Sequence, residues 1–123
     1  MHGFRSSPGD LLEVHARAEN GTVALWCAGE LDISVCDRFQ DALDWSYTRD
    51  PKTLRIDTTD LSFMDSSGLA CLIQATNRCN DLGVRFEVVA SEPVAKLLDL
   101  TGAPVPRAAP QGAPTAEVSA TPS

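Results

Sequence analysis

The sequence predicts an α/β fold: a mixed β-sheet opened by a β-hairpin, with helices packed against it, in the order β-β-α-β-α-β-α. Three observations carry this expectation. Two segments of alternating apolar and polar residues flank an Asn20-Gly21 pair. Further along, apolar residues recur at helical spacing in three stretches. Short apolar runs separate those stretches, and a hairpin followed by such alternation implies a sheet that is parallel in its later strands.

The first strand is expected over Leu11–Ala18, with Leu12, Val14 and Ala16 on one face and Glu13, His15 and Arg17 on the other. Asn20-Gly21 suits a type I′ turn, in which both central residues need φ > 0. The second strand, Thr22–Ala28, turns Val23, Leu25 and Cys27 inward and leaves Trp26 outward. Gly29-Glu30-Leu31-Asp32 is expected to break it. Val35, Cys36, Phe39, Ala42 and Leu43 then mark a helix that ends near Trp45–Thr48, before Asp50-Pro51. Leu54–Asp57 reads as a short third strand. Leu69, Leu72, Ile73, Thr76 and Cys79 mark a second helix, closed by Gly83. Val84–Ala90 is the fourth strand. Ser91-Glu92-Pro93 opens a third helix with a capping hydroxyl and a first-turn proline, its inner stripe is Val94, Leu97, Leu98 and Thr101, and Gly102 ends it.

The flanks differ from this centre. Residues 1–10 read as a flexible leader. From Ala103 to Ser123 the chain is rich in Pro and Ala, holding five of its eight prolines, and is expected to be disordered because little there is large enough to bury. At 123 residues and 43% hydrophobic content, the remaining 11–102 suffices for one domain with one core. The net charge of −7 disfavours nucleic acid and anionic membrane surfaces, and the basic residues form no patch. No apolar run approaches bilayer length and the first residues lack a secretory apolar centre, which points to the cytoplasm. Cys27, Cys36, Cys71 and Cys79 never form a Cys-x-x-Cys pair, and with His2 and His15 they suggest small buried residues rather than a metal or redox centre.

The segment that stands apart is Leu61-Ser62-Phe63-Met64-Asp65-Ser66-Ser67-Gly68-Leu69, between a strand end and a helix start. Ser66 is expected to be the N-cap, with the free amides and the helix dipole offering a positive pole beside its hydroxyl. Gly68 lacks a Cβ and so leaves room for another molecule or an anion. Phe63 and Met64 are candidates for partner contact, although packing of one of them into the core is expected. A capping role alone is the plainer reading of Asp65 and Ser66.

Taken together, Gly29-Glu30-Leu31-Asp32, the Phe63–Leu69 run and the closing Ser91–Gly102 helix resemble the STAS-domain anti-sigma factor antagonists over Leu11 to Gly102. The resemblance implies a STAS fold. It implies that Ser66 is a phosphoacceptor, with Ser67 second in rank, and that Asp32 lies on a loop beside it. The implied partner surface holds Asp32, Phe63, Met64, Asp65, Ser66, Ser67 and Gly68. The implied partners are an anti-sigma factor with serine kinase activity and a metal-dependent serine phosphatase. The chain itself is then no enzyme and carries no cofactor or metal. A phosphate set among carboxylates in an interface is repelled and must be desolvated, and a loss of about 3 kcal/mol weakens binding more than a hundredfold. The sequence departs from the family in one place: relatives follow the third helix with another strand and a helix, whereas here the Pro/Ala tail begins.

Other readings are weaker. A serine hydrolase needs a base near Ser66, which neither histidine offers, and Gly-x-Ser-x-Gly is absent. Nucleotide binding lacks both common glycine-rich motifs. A STAS interaction subunit of a transporter or stress-signalling assembly, without a sigma-factor partner, is the main alternative.

Overall fold

The computed structural model describes residues 2–5 and 12–108. In chain order the elements are β1 (His2–Arg5), β2 (Leu12–Glu19), β3 (Thr22–Leu31), a 3-10 turn (Ile33–Val35), α1 (Cys36–Thr48), β4 (Thr53–Met64), α2 (Ser66–Leu82), β5 (Arg85–Val89) and α3 (Glu92–Thr101). The five strands form one sheet in sequential order: β1, β2 and β3 are antiparallel, whereas β3, β4 and β5 are parallel. The expected order is present from β2 to α3, with β1 added in front.

Asn20 and Gly21 join β2 to β3 with φ of 54° and 80°, as a type I′ turn requires. Alternation then sorts the side chains. Leu12, Val14, Ala16, Val23, Leu25, Cys27, Leu54, Ile56, Phe86 and Val88 are buried on one face. α1 packs on β2 and β3, α2 packs on β4 and β5, and the two helices touch. Phe39, Ala42 and Leu43 of α1 and Leu69, Leu72, Ala75 and Cys79 of α2 complete the core. The opposite face is polar: Arg55 pairs with Glu87 across β4 and β5 at 2.8 Å. There Trp26 is half-buried, donates its Nε1–H to Asp60 at 2.7 Å and meets the His15 ring at a tilt of 50°, with the ring centroids 5.1 Å apart.

Four expectations need correction. The leader is not loose over residues 2–5, which pair with β2 from His2↔Ala18 to Arg5↔His15 and cover what is otherwise an open edge. β3 does not end at Ala28. It runs to Leu31, with Gly29 at φ 102°, a conformation that glycine adopts without strain. β4 accordingly runs to Met64 rather than Asp57, and two register shifts against β3 give β4 an extra residue each time. Buried positions on β4 therefore fall at 54, 56, 58, 61 and 64, which breaks the two-residue period. Finally, the tail does not leave the fold at Ala103. Val105 is buried, and Val88 donates to the Pro106 carbonyl and accepts from the Ala108 amide, both at 2.9 Å. Arg107 completes the attachment through the Ala95 carbonyl and Asp99. Residues 109–123 lie outside the described residues.

The cysteines are free thiols; Cys27, Cys71 and Cys79 are buried and Cys36 is half-buried. Burial, helped by the charge of Asp57, pushes the Cys27 thiol up to about 12. Between the ordinary value of 9.0 and about 12 only the unfolded chain releases this proton, so stability is lost as pH rises through that window. The expected loss from Cys27 is on the order of 1 kcal/mol at pH 10. Urea midpoints at pH 8 and pH 10 check it, since Cys27→Ala must show a smaller drop than the unmodified chain.

Candidate functional site

The site is assembled where two parallel strands end together. Leu31 of β3 pairs with Met64 of β4, and the Asp65 amide donates to the Leu31 carbonyl at 3.2 Å. The chain thus leaves both strands at one level, each time through an aspartate. Asp32 Oδ1 accepts from the Ser34 amide at 2.9 Å and from the Ser34 hydroxyl at 2.6 Å. Asp65 Oδ1 accepts from the Ser67 amide at 2.9 Å and the Gly68 amide at 3.2 Å. The two acidic caps begin the 3-10 turn leading to α1 and the helix α2.

Asp65, not Ser66, is the N-cap of α2. Its backbone is extended (φ −103°, ψ −171°), and Ser66 is the first helical residue. Aspartate caps as well as serine does, so in the Asp65-Ser66 pair the backbone, not the side-chain chemistry, settles the assignment. The Ser66 side chain is thereby left exposed and free of a capping duty. The amides of Ser67 and Gly68, expected to be free, are already taken by the Asp65 carboxylate.

Gly68 is also placed differently from expectation. It is buried, and a Cβ there would stand 2.8 Å from Met64 Cγ and 2.9 Å from Leu31 Cγ. The close approach it permits is that of the protein's own side chains. Met64 is the member of its pair that packs inward, at 7% exposure, and Phe63 is the exposed one at 46%. Asp32, Asp65 and Ser67 are half-buried. The geometry therefore gathers Asp32, Asp65, Ser66 and Ser67 at one end of the sheet with Phe63 beside them, and withdraws Met64 and Gly68 beneath.

Burial raises the Cys36 thiol above its ordinary value, and the charges of Asp65, Asp32 and Asp37 raise it further against a lowering hydrogen bond from Cys71. Carboxylates from both loops thus act on one thiol at the start of α1. Among the described residues no cluster of three or more His, Cys, Asp or Glu side chains is placed to hold a metal ion. A cleft of about 380 Å³ on the open sheet face, lined by His15, Arg17, Trp26, Arg55 and Asp57 among others, does not include Ser66.

One exposed residue was not legible as part of the site: Ile33, in the 3-10 turn directly after Asp32, is 77% exposed. Its signal in the sequence is negative, an isoleucine outside the Val35, Phe39, Leu43 stripe.

Comparison with known proteins agrees with this fold. The family model of the STAS domain matches residues 13–104. Two curated proteins, the anti-sigma-B factor antagonists of Listeria monocytogenes and Listeria innocua, are each 34% identical over 53 residues. That match covers 43% of this chain and 46% of theirs, so it spans less than half the length of these relatives. Among solved structures, an anti-sigma factor antagonist from Mycobacterium paratuberculosis superposes with a TM-score of 0.69 at 24% identity, covering 79% of this chain and 82% of that one. The unphosphorylated anti-sigma factor antagonist SpoIIAA gives a TM-score of 0.69 at 20% identity, covering 80% and 89%. These two likenesses establish the fold.

The packing at Gly68 yields a direct test. Gly68→Ala forces Met64 and Leu31 to move and is expected to cost about 1–3 kcal/mol in urea unfolding. Asp65→Ala is expected to cost about 1 kcal/mol through loss of the cap.

Proposed function

Because the chain belongs to the STAS domain family, we propose that it is an anti-sigma factor antagonist whose binding is switched by phosphorylation of Ser66. The observation that carries this reading is the exposed Ser66 side chain at the first residue of α2, directly after the acidic cap Asp65 and at the sheet end where Asp32 caps the neighbouring turn. The names of the Listeria relatives support the functional class. In this reading the unmodified protein binds an anti-sigma factor that is also a serine kinase, and so frees the sigma factor. The circuit operates in the cytoplasm; among the described residues no helix is long and apolar enough to cross a membrane.

The switch follows from charge and from the capping bonds. The kinase transfers the γ-phosphoryl group of ATP to the Ser66 oxygen, the hydroxyl proton is released and ADP leaves. The product carries a charge of about −1.5 to −2 at neutral pH. A helix start ordinarily stabilises such a group through its free amides. Here the Ser67 and Gly68 amides already hold the Asp65 carboxylate, so the phosphate must displace that carboxylate or stand beside it uncompensated. Either outcome raises the negative charge that a partner has to desolvate. A serine phosphatase resets the site by hydrolysing the phosphoester to Ser66 and inorganic phosphate. Ser67 is the poorer acceptor, because it is half-buried.

Ser66→Ala is expected to keep partner binding and to abolish phosphorylation, while Ser66→Asp weakens binding more than about tenfold. The check is a pull-down from host lysate with the unmodified and Ser66→Asp proteins, followed by a reconstituted kinase assay. Retention of an ATP-binding serine kinase by the unmodified protein alone supports the switch. Phosphate transfer to Ser66→Ala rules out the site. An identical set of proteins on both baits leaves a STAS interaction subunit of another assembly.

A further inference from the structure

The two helix starts at the site are built alike, and the likeness singles out one residue. Asp32 and Asp65 follow the paired residues Leu31 and Met64, and each carboxylate folds back onto the amide two residues ahead. The residue immediately after each aspartate therefore occupies the matching place in its own turn. After Asp65 that residue is Ser66, and after Asp32 it is Ile33. Both are exposed, Ile33 at 77%. One turn thus presents a hydroxyl and its twin presents a branched apolar side chain.

A single exposed hydrophobic residue is ordinary. Ile33 differs in its surroundings. Phe63, 46% exposed, lies at the same end of the sheet, one residue before the end of β4 and paired with Glu30. The other large exposed hydrophobics among the described residues, Leu82 and Leu100, lie near the C-terminal ends of α2 and α3. The carboxylates of Asp32 and Asp65 border the Ile33 and Ser66 turns, and Asp37 follows in the first turn of α1. The ion pairs described in the structure, such as Arg17–Glu19, Arg55–Glu87 and Arg107–Asp99, involve none of these three. An exposed apolar side chain flanked along the chain by Asp32 and Asp37 complements an apolar hollow bordered by basic residues.

We infer that Ile33 is the apolar anchor of the partner-facing surface, received by a hollow on the anti-sigma factor kinase whose rim carries Arg or Lys opposite Asp32 and Asp65. This rests on the proposed function and adds to it the residue that gives the interface its grip and selects among kinases. Ser66 reports the phosphorylation state, while Ile33 supplies the affinity that the state modulates. Such anchors carry a large share of binding when they fill a pocket.

The test uses the full chain and each purified anti-sigma factor of the host with serine kinase activity as the probe, with binding followed by calorimetry and Ser66 phosphorylation by steady-state kinetics. Ile33→Ser leaves the core untouched and is expected to raise Kd about tenfold to a hundredfold, with KM rising in step and kcat held within about twofold. Ile33→Leu is expected to restore most of the affinity, and Leu100→Ser to leave it unchanged. If Ile33→Ser binds as tightly as the unmodified chain while Ser66→Asp does not, the anchor is wrong and the phosphorylation switch stands. If no kinase of the set binds the unmodified chain, the proposed function falls and the anchor with it.

Discussion

The contact of Gly68 with Leu31 and Met64 governs the architecture of the functional end. Without a Cβ at this position, α2 begins directly over the last paired residues of β3 and β4. Asp65 can then donate its amide to Leu31 while its carboxylate receives the amides of Ser67 and Gly68 itself. Close packing and capping are therefore one arrangement, and both fix where Ser66 is displayed. Asp32 is brought to the same level because β3 continues through its glycine to Leu31.

The charge distribution follows from that packing. Two helix starts side by side present two sets of amides, and each is answered by an aspartate. The arrangement is stable as long as nothing further negative arrives. A phosphate on Ser66, which the proposed switch requires, would enter a place where the Ser67 and Gly68 amides are already engaged by Asp65. The unmodified surface combines this acidity with the exposed side chains of Ile33 and Phe63.

Much of this was legible in the residues. The Asn20-Gly21 turn, the three helices, Ser91 as the cap of α3 and the glycines ending α2 and α3 all have strong local causes and stand where expected. Thr101, however, expected on the inner stripe of α3, is exposed, and Val35, expected in the first helix, lies in the 3-10 turn. The length of β4 was not legible, because its bulges shift the buried positions out of the two-residue period near Asp57–Asp60. The β1 strand had no periodic signature of its own, and its place is set by the free edge of β2. Within the site, the pairing of Asp65 with Ser66 gave two adjacent capping candidates whose order depends on backbone geometry. The inward turn of Met64 likewise depends on a neighbour distant in the chain, its strand partner Leu31.

The stretch from Ala103 to Ala108 changes what the end of the sheet is. By bonding to both polar groups of Val88 and burying Val105, it covers part of the outer edge of β5. An uncovered parallel edge is a template for another chain, and two amide-to-carbonyl bonds are enough to interrupt it locally. Arg107 ties the same stretch to α3 through Asp99 and Ala95. The apparent composition break at Ala103 is therefore not a domain boundary. A cut made at Gly102 would remove a clasp that closes the sheet against self-association.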